Sequence, residues 1–339
     1  MNVALLTLLI VTGCTENDQM NLPETPVNAV AINLGQQVNA VSRAVASEGV
    51  NVSATLLMCD GSDASTADWS KFSKVEKNEI DASNQLTSRA SISSASFTVA
   101  ATPANDISLN QLLYYSLSSD VYSFIAAVSP AGKVADTGAS VGFTQTDGTQ
   151  DVMWATTVAV GKASDEGNAA GTSKYNLDFV HKTTQLNFAI CLNRVSGGGE
   201  WQSKKVALKS ISVQQASVPQ SVNVATGDVT WSTPVTLKVP GISEAAIATT
   251  LTDAGEAFMI NPYTEVVLDV VITVDGAEKI FNNVRVTTTE DADLVREVSK
   301  SHKITLTIQE PANAESAVTI NTTATVKPWT QGTSGSAEL

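Results

Sequence analysis

Residues that could carry out catalysis are few and widely separated in this chain. The two histidines, His181 and His302, have no second His or Cys at the spacing of a metal site. No Gly-x-Ser-x-Gly turn presents a serine nucleophile. His181 follows Phe179 in a segment with strand alternation, which favours a hydrogen-bonded position in a sheet. We therefore predict no catalytic residue, no metal site and no cofactor, and we do not expect an enzyme.

The acidic residues of the chain indicate a soluble surface more than a site. The cluster Glu290, Asp291 and Asp293 lacks the glycine and the terminal glutamate of a calcium-binding loop, so we interpret it as a solvated turn. The chain carries 34 acidic and 20 basic residues, a net charge of −14. Such a surface repels phosphate backbones, and no nucleic-acid partner is expected.

The first residues resemble an export signal. The apolar run 3–11 is too short to span a bilayer of about 30 Å and fits the core of a secretory signal. The sequence Val11-Thr12-Gly13-Cys14 then resembles a bacterial lipobox, whose cysteine is acylated. We predict a lipoprotein signal peptide over 1–13 and a tether over 14–26, with acyl chains on Cys14 holding the protein in the outer membrane. A plain signal peptide, or a first strand with an incidental cysteine, is the alternative.

Two other residue types leave alternatives open. Cys59 and Cys191 could form a disulfide in an oxidising compartment, or could be small buried hydrophobic residues. Of the five tryptophans, Trp154, Trp231 and Trp329 lie at the ends of candidate strands, which is typical of core anchors. Trp69 lies in a polar stretch instead, and there it could stack on a sugar ring.

Short strands are the elements that must position these residues. Alternation at Val30, Ile32 and Leu34 predicts a first strand, and the apolar run 122–128 predicts a strand buried on both faces. Turn residues predict hairpins over 221–231, around Thr226-Gly227-Asp228, and over 265–286, around Asp275-Gly276. Regularly spaced short strands favour an all-β protein made of sandwiches.

A change of composition suggests two domains. Residues 161–173 are rich in Gly, Ala, Ser and charge and have no periodic apolar pattern. We prefer this boundary to the glycine-rich stretch 195–200, because it keeps a predicted hairpin over 175–192 with the strands that follow it. The predicted domains are an N-terminal β-sandwich over 27–171 and a C-terminal β-sandwich over 172–339.

Several short motifs, taken in their order along the chain, resemble one protein family. They are the lipobox at Cys14, the stretch 151–155 (DVMWA), the stretches 177–182 (LDFVHK) and 185–190 (QLNFAI), and the closing segments 304–308, 318–320 and 326–332. In this order they resemble the Bacteroidales fimbrillins, also called type V pilins. The resemblance implies two transthyretin-like β-sandwich domains in tandem. It also implies a structural or accessory (tip or anchor) subunit of adhesive cell-surface fimbriae, exported as a lipoprotein.

The resemblance further implies assembly by strand exchange. A trypsin-like maturation protease cuts family members after Arg or Lys and removes the first strand, and a strand from another fimbrial subunit fills the groove. In this chain the expelled strand would carry Val30, Ile32 and Leu34, and the cleavage would follow Arg43, the first basic residue. Arg89 is a poorer candidate, and Arg43 could also be an ordinary loop residue. The rival interpretation is a monomeric surface lipoprotein that binds glycans through Trp69.

Overall fold

A computed structural model describes most of the chain after the N-terminal segment. The described residues are 29–39, 49–100, 105–136, 140–166, 173–288, 290 and 292–328. Cys14, Arg43 and Trp329 therefore lie outside the described residues, as do the whole of the predicted signal peptide and of the predicted tether.

The described residues are almost entirely β-structure. The first twelve strands are β1 (Asn33–Asn39), β2 (Asn51–Gly61), β3 (Glu79–Ile80), β4 (Leu86–Ser88), β5 (Ile92–Thr98), β6 (Asn105–Asp106), β7 (Ser108–Leu109), β8 (Tyr122–Ser129), β9 (Lys133–Val134), β10 (Ser140–Gly142), β11 (Met153–Gly161) and β12 (Lys174–His181). The others are β13 (Thr184–Asn193), β14 (Val206–Ala216), β15 (Pro219–Asn223), β16 (Val229–Trp231), β17 (Val235–Lys238), β18 (Ala245–Ala246), β19 (Thr252–Ile260), β20 (Val267–Val274), β21 (Ala277–Arg285), β22 (Lys300–Gln309) and β23 (Ile320–Pro328). A 3-10 turn, Trp69–Lys71, and a short helix α1, Ala163–Glu166, complete the set. The predicted all-β class is confirmed.

None of the helical segments in the described part of the chain has the length and apolar character needed to cross a membrane.

The first half of the chain forms a sheet of eight strands in the order β6-β1-β12-β11-β8-β2-β5-β7. The predicted apolar strand β8 lies near the middle, and most of its residues are buried, which confirms its expected position between two layers. One face of the sheet covers an apolar cluster, the first core, whose members include Leu56, Phe97, Ile125, Leu177 and Phe179. Strands β6 and β7 are neighbours in sequence but pair with β1 and β5 respectively, so the two ends of the sheet approach each other.

The second half forms two further sheets around its own core. A four-stranded sheet runs β19-β13-β22-β23, and a second sheet runs β17-β14-β20-β21, with β18 also paired to β14. Their common apolar cluster is the second core, which includes Leu186, Phe188, Val213, Leu268 and Ile304. The predicted hairpin of β20 and β21 is present, and its turn residues Asp275 and Gly276 both have positive φ, as a type I′ turn requires.

The predicted hairpin of β15 and β16 is also present, but its position in the fold was not predicted. It pairs through β15 with β10 and so forms a sheet in the order β16-β15-β10-β9, built from both halves of the chain. This sheet covers the outer face of the eight-stranded sheet. The apolar residues between the two sheets form the outer cluster, which includes Leu57, Val128, Trp154, Val222 and Val224.

The hairpin predicted over residues 175–192 is wrong. Strand β12 pairs with β1 and β11 in the first half, whereas β13 pairs with β19 and β22 in the second. The two strands separate because Phe179 is buried in the first core and Phe188 in the second. The chain therefore passes from one group of sheets to the other at 182–183, after the predicted domain boundary at 171.

Candidate functional site: the first strand and its groove

The predicted first strand is a buried strand of the eight-stranded sheet. Residues 29–32 lead into β1, and alternate side chains point into the first core. The inward-facing residues are Val30, Ile32, Leu34, Gln36 and Val38, and all five are at most 5% exposed. Asn33, on the opposite face, is exposed. We call residues 30–38 the inner strand.

The inner strand is hydrogen-bonded along both of its edges. On one side β1 pairs in parallel with β12 over seven positions, from Asn33 with Lys174 to Asn39 with Val180. On the other side it pairs with β6, and residues between 100 and 115 add main-chain bonds. These bonds run from Ile32 N to Leu113 O (2.9 Å), Tyr115 N to Val30 O (3.1 Å), Ile107 N to Leu34 O (3.1 Å) and Val38 N to Ala100 O (2.9 Å). Without the inner strand, two rows of backbone groups would lose their partners.

The space that the inner strand occupies is an apolar groove. Ile107, Leu113 and Tyr115 on one side and Leu177 and Phe179 on the other belong with the inner strand to the first core. The centroids of the Phe179 and Phe97 rings lie 4.9 Å apart, and the Tyr115 hydroxyl donates a hydrogen bond to the carbonyl of Val160 (2.7 Å). We call these walls the strand groove; the two contacts just given do not involve the inner strand.

One polar side chain lies inside the strand groove. Gln36 is completely buried, and its Nε2 donates a hydrogen bond to the main-chain carbonyl of Thr98 at 2.8 Å. Its Oε1 has no hydrogen-bond partner among the described residues. Gln36 was not predicted to face inward, because Gln36-Gln37 is a polar pair; the alternation that starts at Val30 places Gln36 inside when it is continued.

Arg89, the second cleavage candidate, holds one wall of the strand groove. Its guanidinium forms an ion pair with Asp60 and donates a hydrogen bond from Nη1 to the carbonyl of Tyr114 at 2.9 Å. The side chain is 18% exposed. Tyr114 forms an isolated antiparallel β-bridge with Ala31, within the inner strand.

The structure brings together the two central motifs of the family resemblance. Oδ2 of Asp151 lies 2.7 Å from Nδ1 of His181, and the hydroxyl of Thr183 donates to the other carboxylate oxygen at 3.2 Å. All three residues are buried, and the hydroxyl of Ser299 donates to the carbonyl of His181. The Thr183 hydroxyl donates to the carboxylate, and we interpret the group as a structural bracket where the chain changes sheets. His181 is thus the hydrogen-bonded sheet residue that its position predicts.

The other candidate residues occupy ordinary positions. Trp69 lies on the 3-10 turn, is partly buried and packs against the outer cluster. Cys59 and Cys191 are not bonded to each other. Burial, with Asp60 and Asp68 nearby, raises the pKa of the Cys59 thiol to about 12, so this cysteine is a small buried group at neutral pH. No group of three or more His, Cys, Asp or Glu side chains in the described ranges could hold a metal ion.

Comparison with known proteins places this architecture in a family. The family model described as fimbrillin-like matches residues 61–329. Similar solved structures include a putative cell adhesion protein from Bacteroides uniformis, with 17% identity and a TM-score of 0.49 over 89% of this chain and 100% of that chain. They also include a fimbrial protein from Bacteroides vulgatus (12% identity, TM-score 0.43, 88% and 99% coverage) and a fimbrilin from Porphyromonas gingivalis (11%, 0.42, 89% and 98%). No curated protein matches the chain. Because the family model covers most of the sequence, the chain belongs to the fimbrillin-like family.

Proposed function

We propose that the protein is a fimbrial subunit that assembles by exchange of its inner strand. It is exported as a lipoprotein acylated on Cys14, and a trypsin-like protease cuts it after Arg43. A strand from another subunit then replaces residues 30–38. The observation that carries this proposal is the inner strand itself, which is buried, paired on both edges and precedes all the other described strands.

Membership of the fimbrillin-like family supports the general role. A fimbrillin-like protein is a structural subunit of the cell surface that associates with other fimbrial subunits. Stalk, tip and anchor subunits differ in which grooves open, and the adhesive role of this subunit would depend on its place in the fimbrium.

The position of Arg43 suits the exchange. In sequence it stands between β1, which ends at Asn39, and β2, which begins at Asn51. A cut there separates the inner strand covalently from the strands that follow, while its non-covalent contacts persist. Burial of each large aliphatic side chain stabilises the bound strand by about 1.5–3 kcal/mol, so release requires a competing strand of similar pattern. An open groove with unpaired backbone groups recruits such a strand by β-augmentation.

Cleavage after Arg89 would not give the same product. It would cut β2 away together with β1, and β2 pairs with both β5 and β8. The ion pair with Asp60 also holds the Arg89 side chain against the protein. These contacts support Arg43 as the maturation site.

Limited trypsin treatment of the full chain tests the proposal. We expect a new N-terminus at Ala44, followed by ladders of polymer on a denaturing gel. Arg43→Ala should abolish both, whereas Arg43→Lys, which trypsin still cuts, should retain both. Polymer formation by the uncleaved Arg43→Ala protein would contradict the proposal.

The same assay distinguishes the proposed function from its rival, a monomeric lipoprotein that binds glycans. Protein that is cut after Arg43 but stays monomeric favours the rival. Loss of sugar binding in Trp69→Ala, with unchanged stability, would support it directly.

A further inference from the structure

We infer that the strand groove selects its incoming strand through one buried carboxamide, at the position that Gln36 occupies. The inference rests on the strand exchange proposed above. The partner it identifies is a β-strand with the inward pattern apolar, apolar, apolar, glutamine, apolar. The glutamine fixes the register in which that strand binds.

The first step is the contrast between Gln36 and its neighbours. Four of the five inward side chains are aliphatic, and they would be buried equally well if the strand slipped by two residues. Apolar burial is non-directional, so these four residues specify the face of the strand but only weakly its register. Gln36 differs, because it is completely buried and makes a directional hydrogen bond.

The second step is the origin of its partner. Strand β5 is separated from β1 by four other strands in the sheet order. The curl of the sheet nevertheless brings the carbonyl of Thr98, at the end of β5, to 2.8 Å from Gln36 Nε2. The acceptor therefore belongs to the groove and remains after the inner strand leaves. It forms a fixed polar point beside the apolar residues of the first core.

The third step is the cost of a wrong register. A slip by two residues places the carboxamide where Leu34 or Val38 now lies and places an aliphatic side chain against the Thr98 carbonyl. A buried amide without a hydrogen bond is unfavourable. A single buried polar residue fixes the register of paired helices in the same way.

Peptide exchange into the cleaved full chain tests the inference. A site for a sequence-specific protease is introduced between residues 40 and 48, the folded protein is cut, and labelled peptides of residues 29–39 are added. One peptide has the native sequence. The other exchanges two residues, Leu34→Gln with Gln36→Leu, so that its composition and apolar content are identical. Binding is measured by fluorescence polarisation, and release of the resident strand by mass spectrometry.

We expect the native peptide to replace the resident strand and the exchanged peptide to bind about tenfold more weakly. Binding of the two peptides within threefold of each other would overturn the inference and leave strand exchange standing. If neither peptide binds and the resident strand stays in place, strand exchange itself fails, and the inference fails with it. The peptides need not fold alone, so a folding defect cannot imitate any of these results.

Discussion

The two histidines of the chain show how differently one residue type is accommodated in a core. His181 is held by Asp151, whereas neither ring nitrogen of His302 has a hydrogen-bond partner among the described residues. His302 lies on β22, opposite Leu186 and Val326 in the neighbouring strands, and it is completely buried. A neutral ring tolerates this position better than a charged one.

The buried ring of His302 should make the protein less stable in acid. Burial, followed by the positive charges of Lys300 and Arg296, lowers its pKa from 6.5 to about 4. The unfolded chain therefore binds the proton more readily, and the free energy of unfolding falls as the pH falls from 6.5 towards 4. The upper limit of this contribution is about 3 kcal/mol. His302→Leu should remove it, as measured by urea unfolding at neutral pH and at about pH 4.5. Equal acid sensitivity of the two proteins would contradict the expectation.

Asp151 should contribute strongly to stability. Asp151→Ala removes the buried carboxylate that pairs with the His181 imidazole and accepts from the Thr183 hydroxyl, and we expect it to lower the free energy of unfolding by about 2–4 kcal/mol. Asp151→Asn should cost less, because its carbonyl still accepts one hydrogen bond. Asp178→Ala, at an exposed position of β12, is the matched control and should change stability by less than about 0.5 kcal/mol. Equal effects of Asp151→Ala and Asp178→Ala would contradict a structural bracket.

At the scale of elements, the hairpin β15–β16 connects the two halves of the chain. The indole Nε1 of Trp154 on β11 donates a hydrogen bond to the carbonyl of Val224 at 2.9 Å. Gly227, in the turn of the hairpin, lies against the face of the same indole, and a Cβ there would come within 2.5 Å of it. Close contact with Trp154 therefore requires both the turn conformation and the absence of a side chain.

Gly227→Ala should loosen this hairpin by more than the backbone penalty alone. Gly227 has a φ of +71°, so alanine there costs about 1–2 kcal/mol, and displacement of Trp154 adds to this. Gly276 in the turn of β20 and β21 is the matched control, because its φ is +84° but nothing lies near its added Cβ. The measurements are the free energy of unfolding and hydrogen exchange of the amides of β15. An equal cost for Gly276→Ala would show that contact with Trp154 contributes nothing.

The elements were more predictable than their partners. Alternation and turn residues are local, and they predicted the strand β8 and the hairpins around Gly227 and Gly276. Pairing is non-local, and alternation does not state which strand lies alongside, so the separation of β12 from β13 and the position of β15 were missed. The site followed the same rule. The apolar inward residues Val30, Ile32 and Leu34 were predicted, whereas the hydrogen bond of Gln36 depends on the curl of the sheet.

At the scale of the molecule, the two halves are interlocked and not simply in series. A hairpin from the second half covers the outer face of the first-half sheet, and the bracket around His181 holds the chain where it changes sheets. Each half also has its own core. Whether the predicted domains 27–171 and 172–339 fold independently therefore stays a prediction. The strand pairing crosses their boundary, because β12 and the hairpin β15–β16 belong to the second predicted domain but pair with strands of the first.

We expect the whole chain to unfold in one cooperative transition, because opening of the first half removes the partners of β15 and exposes the outer cluster. Two single-tryptophan variants, one retaining Trp154 and one retaining Trp201, report on the first half and the second core respectively. Their fluorescence midpoints in urea should coincide, which is a standard test of two-state behaviour. Adding Gly227→Ala to both variants should separate the midpoints, with Trp154 changing first, because the loosened hairpin no longer links the halves. Separate midpoints in the parent variants would instead show that each half folds by itself.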